Sequence, residues 1–272
     1  MSPAHLIMKS LVLPYGLCFR ERRAGAVILV YHRVGGGTGS DIDLPAAAFE
    51  RQMAYLRTHG RVAALDVAPP APSAGDVTMV TFDDGAREVY EQAYPILLRH
   101  RIPAVVYVVT DYVERGRPFD FGLYRRATRR AEPLRWTHLR EMVGSGLVQV
   151  GSHTHTHPDL TRLSPREAEE ELRRSRDLIA ERLGTAPVHF AYPWGRVTPG
   201  VRDLVGRFYR TAVRGGSAKN VYGGWDALAL WRRPVQQSDA FWLFRLKLAS
   251  YLDGEEALRA AAARLRAAAG TG

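Results

Sequence analysis

Three short stretches concentrate residues able to do chemistry, and each follows an apolar run. The first is Thr81-Phe82-Asp83-Asp84-Gly85, where a strand-like run ends in two adjacent carboxylates and a glycine. Adjacent acids repel. Buried together, either one is neutralised by protonation or both are held by a cation, and the glycine permits the sharp turn that presents them. The plainer alternative is an exposed Asp-Asp-Gly turn. The second stretch is Gly151-Ser152-His153-Thr154-His155-Thr156-His157-Pro158-Asp159, which places three of the nine histidines within five positions. Imidazole is the commonest metal ligand, and His153 and His157, at i and i+4, converge on one ion if the segment turns. A strand would instead put all three on one face, so the spacing leaves His155 open between ligand and bystander, and a polar loop with incidental histidines is the alternative. The third, Phe190-Ala191-Tyr192-Pro193-Trp194-Gly195, is an aromatic turn, suited either to walling a sugar ring or to plugging the core. A further pair, His32 and Arg33, ends the first strand.

Short β-branched runs separated by helical segments must position these residues. Strands are expected at 26–31, 77–82, 104–109, 147–151, 188–191, 211–213 and 228–230, and helices at 46–58, 87–99, 136–144 and 165–183, with a long pair from 240 onward. Fully apolar runs such as Ala104-Val105-Val106-Tyr107-Val108-Val109 suit strands buried on both faces, which favours a barrel or a doubly wound sheet. The clearest helix start is Ser164-Pro165-Arg166-Glu167, a capping box with proline in the first turn. Residues 69–74 form a Pro/Ala linker, and 114–133 is a polar, arginine-rich insertion that shapes the pocket. The expected organisation is an N-terminal extension at 1–24, a catalytic domain at 25–238 and a C-terminal helical extension at 239–272.

The chain has 272 residues, 46% hydrophobic and 24% charged, the balance of a folded domain rather than a disordered or fibrous one. Its single cysteine, Cys18, excludes an internal disulfide and a cysteine-rich zinc site, so any metal must use histidines and carboxylates. The net charge of +10 comes from 38 basic residues, all arginine except Lys9, Lys219 and Lys247. Such a surface favours an anionic neighbour. The arginines are spread among acidic residues, as along 166–182, and this reads as a solvated helix face, so no nucleic-acid partner is expected. No apolar run reaches about 18 residues, the length of a membrane-spanning helix. The apolar stretch 6–17 precedes the basic cluster Arg20, Arg22 and Arg23, the reverse of a signal peptide. A cytoplasmic location is therefore expected. This stretch and the amphipathic C-terminal segment pack on the barrel or touch a membrane peripherally.

Taken together, the T-F-D-D-G and H-T-x-T-H-P-D-L strings and the Pro-Trp-Gly turn, in this order, resemble the polysaccharide deacetylase family, the NodB-homology group of carbohydrate esterases, over about residues 26–235. The resemblance implies a distorted (β/α)7 barrel, and a divalent metal, usually Zn2+ with Co2+ or Ni2+ as alternatives, held by Asp84, His153 and His157. It also implies Asp83 as the general base. The late Leu-x-His motif that supplies the general acid in typical members is missing here. In this respect the chain looks like the circularly rearranged subgroup related to exopolysaccharide deacetylases, whose N-terminal Tyr-His strand takes over that role, making His32 the acid. Ala191 occupies the place of the arginine that tunes the base, with Arg33, Arg232 or Arg233 as substitutes. Tyr192, Pro193, Trp194, Arg33 and Arg233 are the expected substrate contacts.

The activity so implied is metal-dependent removal of an N-acyl group from an amino sugar in a glycan, glycolipid or glycosylated metabolite. The competing reading is a catalytically silent glycan-binding barrel, motivated by the missing late histidine and arginine.

Overall fold

A computed structural model describes residues 21–253 apart from 67, 72, 74 and 127–129. The apolar stretch 6–17 and the Ala/Arg-rich tail beyond 253 lie outside the described residues. In chain order the elements are β1 (Gly25–Tyr31), β2 (Arg33–Val34), β3 (Asp43–Leu44), α1 (Ala46–His59), β4 (Val77–Phe82), a π-helical turn (Val89–Ala93) running into α2 (Tyr94–His100), β5 (Ala104–Val108), α3 (Thr110–Arg115), a 3-10 turn (Gly122–Arg126), α4 (Trp136–Gly144), β6 (Val148–Ser152), α5 (Pro165–Leu183), β7 (His189–Ala191), α6 (Pro199–Gly206), β8 (Thr211–Gly215), β9 (Asn220–Val221), β10 (Leu230–Pro234) and α7 (Phe241–Leu248).

Seven parallel strands close on themselves in the order β1, β4, β5, β6, β7, β8, β10, with β10 paired to both β8 and β1. Closure abolishes the open sheet edge. The short β9 adds an antiparallel pairing at the start of β1. There Asn220 stitches the seam: its amide donates to the carbonyls of Ala26 (3.3 Å) and Trp231 (2.9 Å), and its carbonyl oxygen accepts from Trp231 N–H (2.8 Å).

Every residue of β1, β4 and β5 is buried, because one face of each strand meets helices and the other faces the barrel interior. The alternation is strict. Val27, Leu29, Tyr31, Val80, Phe82, Val106 and Val108 pack outward with Phe49, Met53, Leu97, Leu139 and Met142 of the helical layer. Ala26, Ile28, Met79, Val105, Tyr107, Ala191, Val213 and Leu230 form an inner cluster. Successive side chains of a strand point to opposite faces, so the parity of a residue number decides whether it serves the interior or the helices.

One expectation shifts. The last strand begins at Leu230, not 228, and runs on through Arg232 and Arg233; the burial of both arginines, each with a counter-ion, outweighs their low strand preference. The C-terminal helix α7 packs on the barrel: Phe244 sits fully buried in the main cluster, and Tyr55 of α1 meets Phe241 edge-on at 5.6 Å. Helices α3 and α6 go unannounced in the sequence reading because each is short, eight residues or fewer. Among the described residues no helix is long and apolar enough to cross a membrane.

Gly151 on β6 occupies an interior position that tolerates no side chain, since a Cβ there would lie 2.4 Å from the ring of Tyr107 and 3.0 Å from the carbonyl of His189. Gly151→Ala is expected to destabilise the barrel by about 1–3 kcal/mol, the cost of overpacking. The measurement is a urea melt, with a lowered midpoint and an unchanged slope.

Candidate active site

The parity of the strands, continued one or two residues past their C-terminal ends, delivers the site. On β4 the inward series runs through Met79 and Thr81 to Asp83, on β6 through Gly151 to His153, on β1 through Val30 to His32, and on β10 through Leu230 to Arg232. Val30, His32, Asp83, His153 and Arg232 accordingly line a single cavity of about 280 Å³ at that end of the barrel. The C-terminal edge is where barrel loops gather reactive groups.

Sharp reversals follow. Of the six non-glycine residues with positive φ among the described ones, four belong here: Asp84 (69°), Thr154 (68°), His157 (66°) and Trp194 (61°). A β-branched residue such as Thr154 adopts this region only when its surroundings insist. The histidine segment therefore turns instead of continuing as a strand. His157 N–H donates to Thr154 Oγ1 (3.0 Å), and the Glu171 carboxylate on α5 accepts from His155 N–H (2.9 Å), Thr156 N–H (2.8 Å) and the Thr156 hydroxyl (2.8 Å).

This turn settles which histidines converge. Asp84, His153 and His157 are buried, and one ligand atom from each lies within 4.8 Å of the others. Asp84 Oδ1 is 3.6 Å from Nε2 of both His153 and His157. His153 donates its Nδ1–H to the Ala191 carbonyl (2.8 Å), which leaves the Nε2 lone pair directed at the carboxylate. Burial, followed by the neighbouring His153, lowers the His157 pKa to about 3, keeping that imidazole neutral. Two neutral imidazoles and a carboxylate, with one ring oriented by a backbone carbonyl, fit a divalent cation of the zinc type. His155 is not part of the group. Its Nδ1 bonds the Thr110 hydroxyl (2.9 Å) and its Nε2 lies 3.8 Å from Asp111.

Asp83 stands beside this cluster, with Oδ2 3.9 Å from His153 Nε2. Both of its oxygens are gripped by the Arg232 guanidinium, at 2.5 and 2.6 Å. Burial alone would raise the pKa of this carboxyl, but the charge of the paired Arg232 guanidinium outweighs burial and holds it well below the usual carboxylate range. Of the three arginines expected as substitutes for one at position 191, Arg232 is the one paired with Asp83; Arg33 pairs with Glu88 and Arg233 with Asp253. Arg232 lies on the inward series of β10, a distinction that parity carries in the sequence and that separates it from its neighbour Arg233.

The remaining substrate expectations need correcting. Arg233 has outward parity, and its guanidinium is buried beneath α7, donating to the Ser217 carbonyl (2.6 Å), the Ser250 hydroxyl (3.0 Å), the Lys247 carbonyl and Asp253. Arg33 is buried against Glu88. Tyr192 points into the outer core beside Phe190, its hydroxyl donating to the Leu228 carbonyl (2.9 Å), and Pro193 is buried without reaching the cavity. Of that group only Trp194, half exposed, faces the cavity, edge-on to His157 at 5.1 Å.

Two residues of the polar insertion enter the site without a motif to announce them. Phe121 stacks on the His157 ring (centroids 4.0 Å apart, 19° between planes), and the Tyr124 hydroxyl donates to Asp84 Oδ2 (2.7 Å). The tight run of aromatics Phe119, Phe121 and Tyr124 within an otherwise basic segment is the signal that could have found them.

A protein-family model described as polysaccharide deacetylase matches residues 71–212. The Bacillus subtilis protein YxkH, named for that family, is 25% identical over 182 residues, covering 65% of this chain and 59% of its own. The chitooligosaccharide deacetylase of Sinorhizobium fredii is 28% identical over 147 residues, covering 53% of this chain and 55% of its own. Among solved structures, IcaB from Ammonifex degensii superposes with a TM-score of 0.66 at 26% identity, over 84% of this chain and 97% of that one. The chain spans little more than half the length of the two curated relatives.

Elemental analysis of purified protein loaded with Zn2+ checks the ligand set. Asp84→Ala and His157→Ala are expected to lose the metal, whereas His155→Ala keeps it at the wild-type ratio.

Proposed function

Because the chain belongs to the polysaccharide deacetylase family, we propose that it is a metal-dependent hydrolase that removes the N-acetyl group from an amino sugar within a glycan, glycolipid or glycosylated metabolite. The observation that carries this reading is one cavity holding an ionised Asp83, gripped by Arg232, beside the convergent Asp84, His153 and His157.

The residues divide the work by chemistry. Asp84, His153 and His157 would hold Zn2+, with Co2+ or Ni2+ as substitutes; when bound, the cation acidifies a water and polarises the acyl oxygen. Asp83, kept ionised by Arg232, accepts a proton from the attacking water. The bidentate fork also fixes the carboxylate in the plane of the guanidinium, where Lys would not. His32 stands at the same cavity wall, on the inward series of β1, and supplies a proton to the amine nitrogen as the C–N bond breaks, leaving acetate and a free amino sugar. Phe121 and Trp194 offer aromatic surface at the cavity, of the kind that packs against sugar rings. What favours this reading over a silent glycan-binding barrel is that Arg232 pairs with Asp83, and that His32 lines the same cavity.

Relatives named as a chitooligosaccharide deacetylase and as poly-β-1,6-N-acetyl-D-glucosamine N-deacetylases supply the first substrates to try. Acetate release is measured from oligomers of both linkages with the Zn2+-, Co2+- and Ni2+-loaded protein. Wild type is expected to release acetate, and Asp83→Asn to reduce the rate by about 10²–10⁴-fold, the range of a lost general base, with metal content retained. No release from the metal-loaded wild type across the panel, or an undiminished rate in Asp83→Asn, overturns the reading.

A further inference from the structure

The insertion expected only to shape the pocket reaches the metal ligands themselves. Asp84 presents Oδ1 to both histidines, while its second oxygen, Oδ2, takes the Tyr124 hydroxyl at 2.7 Å. Both residues are buried, at 3% and 5% exposure. Tyr124 is wedged in an aromatic cluster of its own, against Phe119 (4.9 Å) and Phe121 (5.4 Å), with Tyr112 behind Phe119 at 5.0 Å. Arg117 clamps the cluster from outside, lying 3.8 Å over the Tyr112 ring and bonding Asp111 (3.0 Å) and Asp120 (3.1 Å). The insertion thus makes two contacts with the ligand set, Tyr124 on Asp84 and Phe121 on His157.

We propose that Tyr124 is a positioning residue for Asp84, fixing the carboxylate so that a single oxygen, Oδ1, is offered to the metal. This rests on the metal-site reading above. A carboxylate turns readily about its last bond, and in a buried setting an unsatisfied Oδ2 would compete for the cation. One strong donor on Oδ2 holds the rotation and leaves Oδ1 facing the two imidazoles. Donors of this kind, one step removed from a metal, are commonly worth about 10–100-fold in its affinity. Phe121 complements the arrangement by stacking on His157, whose Nδ1 is buried with no hydrogen-bond partner among the described residues and whose ring is therefore oriented by packing alone.

The test is metal affinity, read without substrate. Full-length wild type, Tyr124→Phe and Phe119→Leu are titrated with Zn2+ against a chromophoric chelator, and the visible absorption of the Co2+ forms is recorded. Tyr124→Phe keeps the ring and its packing and removes only the donor; it is expected to weaken Zn2+ binding about 10–100-fold and to shift the Co2+ bands. A merely structural role predicts the opposite ranking, with Phe119→Leu weakening the metal and Tyr124→Phe matching wild type within about twofold and leaving the Co2+ spectrum unchanged. That ranking overturns the proposal. If wild type itself binds no metal, the metal-site reading falls and this proposal with it. A wild type that binds metal yet releases no acetate defeats the deacetylase reading alone, and the affinity comparison still decides the role of Tyr124.

Discussion

At the mouth of the barrel Asp83 and Asp84 follow one another on one strand end, both almost completely buried. Two neighbouring carboxylates removed from water repel and lose their hydration, a cost of several kcal/mol per ion unless opposite charge is supplied. The chain itself supplies the charge for Asp83, and for Asp84 it supplies neutral donors and ligands that leave the counter-charge to a cation. Arg232 grips one acid with a two-pronged, hydrogen-bonded pair, and the other acid faces two imidazoles and a tyrosine hydroxyl. Under the proposed function this division gives the two acids different work: the same residue type, one position apart, would accept a proton where a guanidinium holds it and would bind the metal where imidazoles surround it. Because Arg232 comes from β10, the strand that closes the barrel, the electrostatics of the site and the closure of the sheet are one requirement.

The cost of assembling these groups is visible in the backbone. Asp84, Thr154, His157 and Trp194 are all held in left-handed conformations that non-glycine residues avoid, and the rigid barrel beneath them absorbs the strain. Glu171 illustrates how. It lies on α5, outside the barrel, and its carboxylate ties down the backbone between His153 and His157 through three hydrogen bonds. The histidines are aimed by helix and sheet together.

Much of this was legible in the sequence. The strand ends that carry Asp83, Asp84, His153 and His157 are announced by apolar runs that stop abruptly, and the barrel follows from those runs and the helices between them. Simple alternation along Leu230-Trp231-Arg232-Arg233 also distinguishes the arginine that enters the cavity from the one that anchors α7, once the strand is known to extend that far. Its extension past 230 was hidden because arginine is a poor strand former and the local pattern gives no hint that both guanidinium groups find buried partners. The fate of Tyr192 was open for another reason: an aromatic at a strand end suits a sugar wall and an outer core equally, and only the partner of its hydroxyl decides. Tyr124 and Phe121 carry only a compositional hint, aromatics within a basic segment, because their contacts join segments about 40 residues apart, through a turn with no periodicity.

The seam between β1 and β10 has a consequence for how the polypeptide reaches this state. Asn220 ties back to Ala26 across 194 positions, and Arg232 meets Asp83 across 149. Strands so far apart in sequence gain nothing until the intervening chain has been ordered, which makes such pairings slow to form. Until β10 is in place, β1 and β8 each lack the partner that closes the ring, and an open strand border is where foreign strands can pair. The final stave arrives only after position 234 has left the ribosome. Late ring closure and edge-to-edge pairing therefore compete for the same two strand borders, a competition that the closing strand ends.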